Sequence, residues 1–237
     1  MNNRRACVLI SGGLDSCVLL AHLAEQGWTL TPLYVRAGLV WERVELSWLR
    51  RFLAHLSHPG LQPLGQLSIP VEDTYQSHWS TTGQAVPGSH SEDSAVYLPG
   101  RNLLLLSKAA VYCALNRIDV IALGLLKGNP FPDATPGFLQ GFERLAGEAL
   151  THPLEIVTPF RSLSKTEVIH LGKTLPLGLT FSCIRPVGEK HCGGCNKCAE
   201  RRRSFADAGV KDRTDYHRLP RLETRSESAG AAHAGSN

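Results

Sequence analysis

The chain has 237 residues, 43% of them hydrophobic and 19% charged, with a net charge of +4. It is long enough to bury a full core as one domain with a small appendage, and its composition is that of an ordinary soluble protein. The longest apolar runs, such as Leu103 to Leu106, are far too short to span a bilayer, and the polar start at Met1 leads straight into a short strand, so a cytoplasmic location is expected.

In chain order, Ala6–Ile10 reads as a strand, Ser16–Gln26 as a helix stopped by Gly27, and Thr29–Val35 as a second strand. Trp41, Val44, Trp48, Phe52 and Leu56 recur at helical spacing, which predicts an amphipathic helix whose tryptophans face a core. A strand follows near Leu64–Pro70. Residues 72–100 are polar and rich in Gly, Pro and Ser, too long for a plain connector, and read as a functional lid or a mobile insertion. Then come a helix over Arg101–Asn116, a strand over Val120–Gly124, a helix over Pro136–Leu150 and a strand over Glu155–Pro159. Ser164 and Glu167 form a capping box that opens a helix to Lys173. The triplet Arg201-Arg202-Arg203 stands beside Glu200 and Asp207 on a helix and reads as a solvated face rather than a nucleic-acid patch. From about Arg221 the composition predicts disorder. Strands alternating with helices predict a parallel sheet covered on both faces.

The turn after the first strand is Ser11-Gly12-Gly13-Leu14-Asp15-Ser16. In an open parallel sheet it falls at the ligand edge, where two glycines let backbone N–H groups converge, Ser11 and Ser16 add hydroxyls, and the next helix points its positive end the same way. Such a nest suits phosphate. It is neither a Walker A loop nor a dinucleotide fingerprint. The alternative is a Gly-Gly turn with an Asp-Ser helix cap. Further on, Cys183, Cys192, Cys195 and Cys198 have the spacing of a tetrahedral zinc site, and an all-cysteine set leaves no open position, which makes the metal structural. His191 adjoins a ligand and is an alternative donor. Cys7, Cys17 and Cys113 lie in apolar contexts and read as core.

The six-residue turn resembles the pyrophosphate loop of the N-type ATP pyrophosphatases. That resemblance implies attack of a substrate oxygen on the α-phosphate of ATP, with the loop and Mg²⁺ holding the departing pyrophosphate. Asp15 then either braces the loop or acts near the metal. Together with the cysteines, Pro99-Gly100-Arg101-Asn102-Leu103, Pro132-Asp133, Pro136, Phe138, Ser164-Lys165, Phe181-Ser182 and Arg201 with Phe205, the turn resembles the 7-cyano-7-deazaguanine synthase family. The resemblance implies a doubly wound α/β fold of the adenine nucleotide alpha hydrolase-like type. Residues 1–180 would form the ATP pyrophosphatase domain, 181–216 a zinc-binding element and 217–237 a disordered tail.

It also implies an ATP-, Mg²⁺- and Zn²⁺-dependent carbon–nitrogen ligase that joins 7-carboxy-7-deazaguanine to ammonia, with a homodimer admitted. Neither membrane nor nucleic acid is an expected partner. Ser11 to Ser16 and Asn102 would bind nucleotide, and Asp15, Arg101, Asp133 and Lys165 would serve catalysis. Read from the residues alone, Arg101 and Asn102 hold a phosphate or carboxylate, or form an ordinary first turn. Lys165 neutralises charge at the α-phosphate or is a surface lysine, and Asp133 meets a ring edge or metal or is a turn residue.

Two segments depart from the family pattern. Ala134 and Thr135 stand where a cysteine and an arginine are usual, and Gly38-Leu39-Val40-Trp41 replaces a Gly-Gln-Arg-His-type run. Arg36, Arg43 and Arg161 are the candidates to compensate. An adenylating paralogue with another acceptor, a tRNA thiolase and a non-catalytic nucleotide sensor are the other readings.

Overall fold

The computed structural model describes residues 4–220; most of the expected tail, 221–237, lies outside the described residues. Side-chain alternation along β1 (Arg5–Leu9) sets the architecture. Ala6 and Val8 join one buried cluster and Cys7 joins another, so both faces of the strand are covered. With β2 (Thr29–Arg36), β3 (Gly65–Ser68), β4 (Val120–Ala122) and β5 (Glu155–Val157) it forms a five-stranded sheet in the order β3-β2-β1-β4-β5. Every pairing is parallel.

The helices are α1 (Leu14–Glu25), α2 (Glu42–His55), the one-turn α3 (Glu72–Tyr75) and α4 (Trp79–Thr82), α5 (Arg101–Asn116), α6 (Pro136–Leu150), α7 (Lys165–Leu171) and α8 (Asn196–Asp207). Leu19 of α1, Leu49 of α2, Val168 of α7 and Phe205 of α8 pack with the Val8 face. Leu106 of α5 and Leu139 of α6 pack with Cys7, Leu33 and Ile121 on the other. This is the doubly wound α/β arrangement. The chain steps from β1 to β2 and β3 on one side, then crosses to β4 and β5 on the other. The loops after β1 and β4 therefore part, and a crevice opens above the C-terminal ends of the strands.

The expected α5 and α6 are found at their expected bounds, and the Ser164/Glu167 capping box is formed. Helix α1 begins two residues earlier than its periodicity suggested, because Cys17 N already donates to Gly13 O at 3.0 Å. Half of the Ser11–Ser16 motif is thus the first turn of a helix. Residues 72–100 fold into α3, α4 and a 3₁₀ turn over Asp93–Val96 and lie over the crevice. Four-residue helices carry too little periodicity to be seen in a sequence.

Arg201 corrects the solvated-face reading of the basic triplet. It is 3% exposed, because Cys198, Arg201 and Phe205 recur on the buried side of α8. Its guanidinium donates to Leu177 O, Thr180 Oγ1, Ser182 Oγ and Thr214 Oγ1. Cys7, Cys17 and Cys113 are buried core residues, as expected. The segment that begins at Phe181 is tied to the sheet's ligand edge: Phe181 N donates to Gly12 O at 2.7 Å, and Trp48 of α2 stacks on the Phe181 ring. His217 N still donates to His191 O, so the chain lies against this element past residue 216. Among the described residues no helix is long and apolar enough to cross a membrane.

Candidate active site

The turn after β1 is tightly folded. Gly12 has φ +78°, a conformation that side chains rarely adopt, and a Cβ there would lie 3.1 Å from Leu49 Cβ of α2. Ser16 Oγ donates to Gly13 O at 3.1 Å, and Gly13 N points to Ser11 Oγ at 3.3 Å, so the two serines shape the turn from inside. Gly124, after β4, approaches the same helix start: a Cβ on it would lie 3.1 Å from the backbone of Asp15 and Ser16. A side chain there would push the two edges of the crevice apart. The crevice holds a cavity of about 440 Å³ lined by Ser11, Gly13, Leu14 and Asp15, with residues from the start of α2, the 79–98 segment, the start of α5, the loop after β4, the start of α7 and α8.

Lys165 reaches the turn from the start of α7. Its Nζ lies 2.6 Å from Asp15 Oδ2 and 3.7 Å from Glu200 Oε1, while Glu200 Oε2 accepts from Lys197 Nζ at 2.6 Å. Burial opposes the charge on Lys165, but Asp15 and Glu200 outweigh it and its pKa is raised. The lysine stays cationic. Asp15 Oδ1 is buried and has no hydrogen-bond partner among the described residues, an oxygen open to a cation.

Arg101 and Asn102 line the cavity from the first turn of α5. Arg101 Nε is buried and unpartnered among the described residues, a donor free for an anionic ligand. Asn102 is held by Asp133, whose two oxygens accept from Asn102 N at 2.8 Å and Asn102 Nδ2 at 3.2 Å. Asp133 lines the cavity too, and in this arrangement its carboxylate caps α5 from a neighbouring loop.

Glu45 is a member of the site that the sequence reading missed. It is 7% exposed, lines the cavity, and accepts a hydrogen bond from Tyr34 OH at 2.6 Å. Burial pushes its pKa up to about 7, with Arg101 and Tyr34 pulling the other way. Its signal was present in the sequence: Glu45 falls on the stripe of Trp41, Trp48 and Phe52, a carboxylate on a buried helix face. Glu42 closes the loop after β2, its carboxylate accepting from Ala37 N and Gly38 N.

Two aromatic pairs complete the walls. Trp41 stacks on Trp79 with centroids 5.7 Å apart, Tyr97 stacks on Phe131 at 5.2 Å, and all four line the cavity. The expected tryptophan core is therefore also a cavity wall. Ala134 is buried with its carbonyl accepting from Arg161, and Thr135 caps α6, so neither is a lining residue. Arg43 pairs with Glu189 and Arg36 lies at the surface near Glu42. None of the three arginines expected to compensate lines the cavity; its cations are Arg101, Lys127, Lys165, Lys197 and Arg201.

The sulfur atoms of Cys183, Cys192, Cys195 and Cys198 are buried and lie within 4.8 Å of one another. Cys183 Sγ–Cys195 Sγ and Cys192 Sγ–Cys198 Sγ are both 3.9 Å. A tetrahedron with metal–sulfur bonds of about 2.3 Å has edges of about 3.8 Å, so the donor set fits a metal ion. Backbone N–H groups of Arg185 and Cys192 donate to Cys183 Sγ, and those of Gly194 and Cys195 to Cys192 Sγ, the support that thiolates need. His191 is not in the cluster; its Nε2 accepts from Ser182 N.

A 7-cyano-7-deazaguanine synthase of Anaeromyxobacter dehalogenans is 35% identical over 228 residues, 90% of this chain and 96% of the relative. The enzyme of that name from Methanothermobacter thermautotrophicus is 31% identical over 230 residues, 90% of this chain and 99% of its own length. Among solved structures, a 4-thiouridine synthetase–RNA complex with bound ATP has 16% identity and a TM-score of 0.47, covering 87% of this chain and 50% of that one. The family model described as queuosine biosynthesis protein QueC matches residues 5–209, and the chain belongs to that family.

Proposed function

We propose that the chain converts 7-carboxy-7-deazaguanine and ammonia to 7-cyano-7-deazaguanine at the expense of ATP. The observation that carries this reading is one cavity that joins the Ser11–Ser16 turn to two stacked aromatic pairs, a phosphate nest beside walls suited to a flat ring. The names of the relatives at 31–35% identity over nine-tenths of the chain point to the same chemistry.

The reaction needs three events. The acceptor carboxylate bonds to the α-phosphorus as pyrophosphate leaves. Ammonia then displaces AMP to give an amide. The amide oxygen then bonds to the α-phosphorus of a second ATP as pyrophosphate leaves, and cleavage of the carbon–oxygen bond releases AMP, with loss of the two amide protons, to form the nitrile. In both activations the Ser11–Ser16 turn and the positive start of α1 would receive the departing pyrophosphate, and Lys165 would offset the charge that develops at the α-phosphate. Arg101 Nε is the donor available to the acceptor carboxylate or to phosphate. Asp133 positions Asn102, and with it the start of α5, rather than touching the ring. Mg²⁺, held by Asp15 and by phosphate oxygens, would neutralise charge on the nucleotide. Zn²⁺ at the four cysteines would be structural, since the donors fill its coordination.

Leu39, Val40 and Ala134 stand where the family pattern has polar groups, which favours an adenylating enzyme with a different flat acid as the second reading. One experiment separates the two: incubation with ATP, Mg²⁺, ammonium and 7-carboxy-7-deazaguanine, following pyrophosphate, AMP and product mass. Release of both with appearance of the nitrile mass is expected. ATP turnover only with another acid would leave the second reading, and ATP binding without pyrophosphate release would remove both.

A further inference from the structure

Helix α8 leaves the cysteine cluster and runs into the cavity. Cys195 is its N-cap and Cys198 lies in its first turn, while Lys197 and Glu200, interleaved with them, line the cavity beside Asp15 and Lys165. A lysine and a glutamate three apart on a helix are usually a surface pair with no further meaning. Here Glu200 holds two lysines from different helices: Lys197 at 2.6 Å through Oε2 and Lys165 at 3.7 Å through Oε1. Lys165 in turn holds Asp15 at 2.6 Å, and Asp15 keeps its other oxygen buried and unpartnered among the described residues. The base of this chain is rigid, because Arg201 of the same helix is fixed by Leu177, Thr180, Ser182 and Thr214.

We propose that Lys197 and Glu200 complete the pyrophosphate subsite: Lys197 binds the departing pyrophosphate, and Glu200 is a positioning residue that keeps Lys165 and Lys197 side by side at its rim. The inference rests on the adenylating reading above. In that reaction the bond from the α-phosphorus to the bridging oxygen breaks as the acceptor oxygen bonds to phosphorus, and the electron pair leaves on pyrophosphate. Before the nucleotide arrives, two lysines and two carboxylates balance. With a cation on Asp15 Oδ1, the Asp15 charge would be shared between that cation and Lys165, and Glu200 would be the carboxylate left to keep Lys165 facing the anion. Lys197 brings the second positive charge that a leaving pyrophosphate needs.

The test uses the full chain as wild type, Lys197→Ala, Lys197→Arg, Glu200→Gln and Glu200→Asp. It reads steady-state pyrophosphate release, inhibition by inorganic pyrophosphate, and thermal melting. Lys197→Ala should raise the inhibition constant for pyrophosphate about tenfold, and Lys197→Arg should restore it. Glu200→Gln should lower kcat about tenfold while changing KM for ATP less than about threefold, with partial recovery in Glu200→Asp. Melting should stay near wild type. A wild-type inhibition constant in Lys197→Ala, or a wild-type kcat in Glu200→Gln, would overturn the inference. If the wild-type chain releases no pyrophosphate with any acid, the adenylating reading fails by itself. Calorimetric binding of inorganic pyrophosphate then decides the subsite: about tenfold weaker binding in Lys197→Ala supports it, and equal binding removes it.

Discussion

Lys165 Nζ lies 2.6 Å from Asp15 Oδ2, although the two residues are 150 positions apart in the sequence. Each carries the charge the other needs, and in the proposed reaction both would serve the nucleotide. Lys165→Ala and Asp15→Asn should therefore each lower pyrophosphate release by about two orders of magnitude, the usual loss for one positioned electrostatic group. Circular dichroism and melting should remain close to wild type. Turnover within a few-fold of wild type in both would take the pair out of the mechanism.

Glu45 should make stability depend on pH in an unusual direction. Burial lifts its pKa from an ordinary 4.5 to about 7, and Tyr34, Glu42 and Arg101 are the groups that face it. The protonated acid prefers the folded state, so its contribution is full below about pH 4.5, falls as pH rises toward 7, and is lost above that. Across this window the effect is about 3 kcal/mol. Glu45→Gln removes it, so the melting temperature of the variant should gain on wild type between pH 5 and pH 8. Parallel melting curves at both pH values would show that the carboxylate is not desolvated. A buried acid in a cavity is a candidate functional group, and the same variant is expected to lose activity.

The cysteine cluster should carry about one zinc per chain as purified, readable by elemental analysis. Cys195→Ser should lose the metal and lower the melting temperature, because metal binding here contributes directly to folding. It should also weaken nucleotide binding, since Cys195 caps the helix that carries Lys197 and Glu200. A metal-free chain with full stability would refute the assignment.

Asp133 and Asn102 should behave as one unit. Asp133→Ala and Asn102→Ala each remove hydrogen bonds at the start of α5, and a double-mutant cycle on unfolding should give a coupling of about 1 kcal/mol. Additive effects would mean that the two residues act separately.

The wall of stacked aromatics makes a prediction of its own. Trp79→Ala removes the partner of Trp41 and should raise KM for the acceptor acid several-fold while leaving KM for ATP alone. The opposite split would place the nucleotide base, not the acceptor, against the tryptophans.

What the sequence revealed and what it concealed follow from the range of the forces involved. Helices α5 and α6, the Ser164/Glu167 box and the four cysteines are written in neighbours a few residues apart, and a reader of the string meets them directly. The Ser11–Ser16 turn is local as well, although its division between turn and helix depends on a single bond from Cys17 to Gly13. Residues 72–100 gave no periodic signal because helices of one turn have no repeat, yet Trp79 and Tyr97 of this segment face the cavity. Lys197 and Glu200 are three apart on α8, and nothing near them in the sequence announces Lys165, which α7 brings to Glu200. Arg201 stands in a basic triplet whose other two members are half-buried, whereas its three-residue offset from Cys198 turns it inward. Asp133 was visible as a rigid-loop carboxylate, but the partner that takes both its oxygens lies 31 residues away.

The bond from Phe181 N to Gly12 O makes the ligand-binding turn a poor candidate for transplantation. The carbonyl it occupies belongs to the residue whose positive φ gives the turn its shape, so one end of the turn is clamped by the cysteine-bearing segment that follows Thr180. A chain cut after Thr180 would keep all five strands and the six-residue motif and still lose the clamp, the Trp48–Phe181 stack and the cations of α8. The two parts are therefore not modules that evolution or engineering could shuffle independently. Variation that loosens one must be matched in the other, and attempts to graft a new acceptor pocket onto this scaffold should leave the contact between residues 12 and 181 untouched.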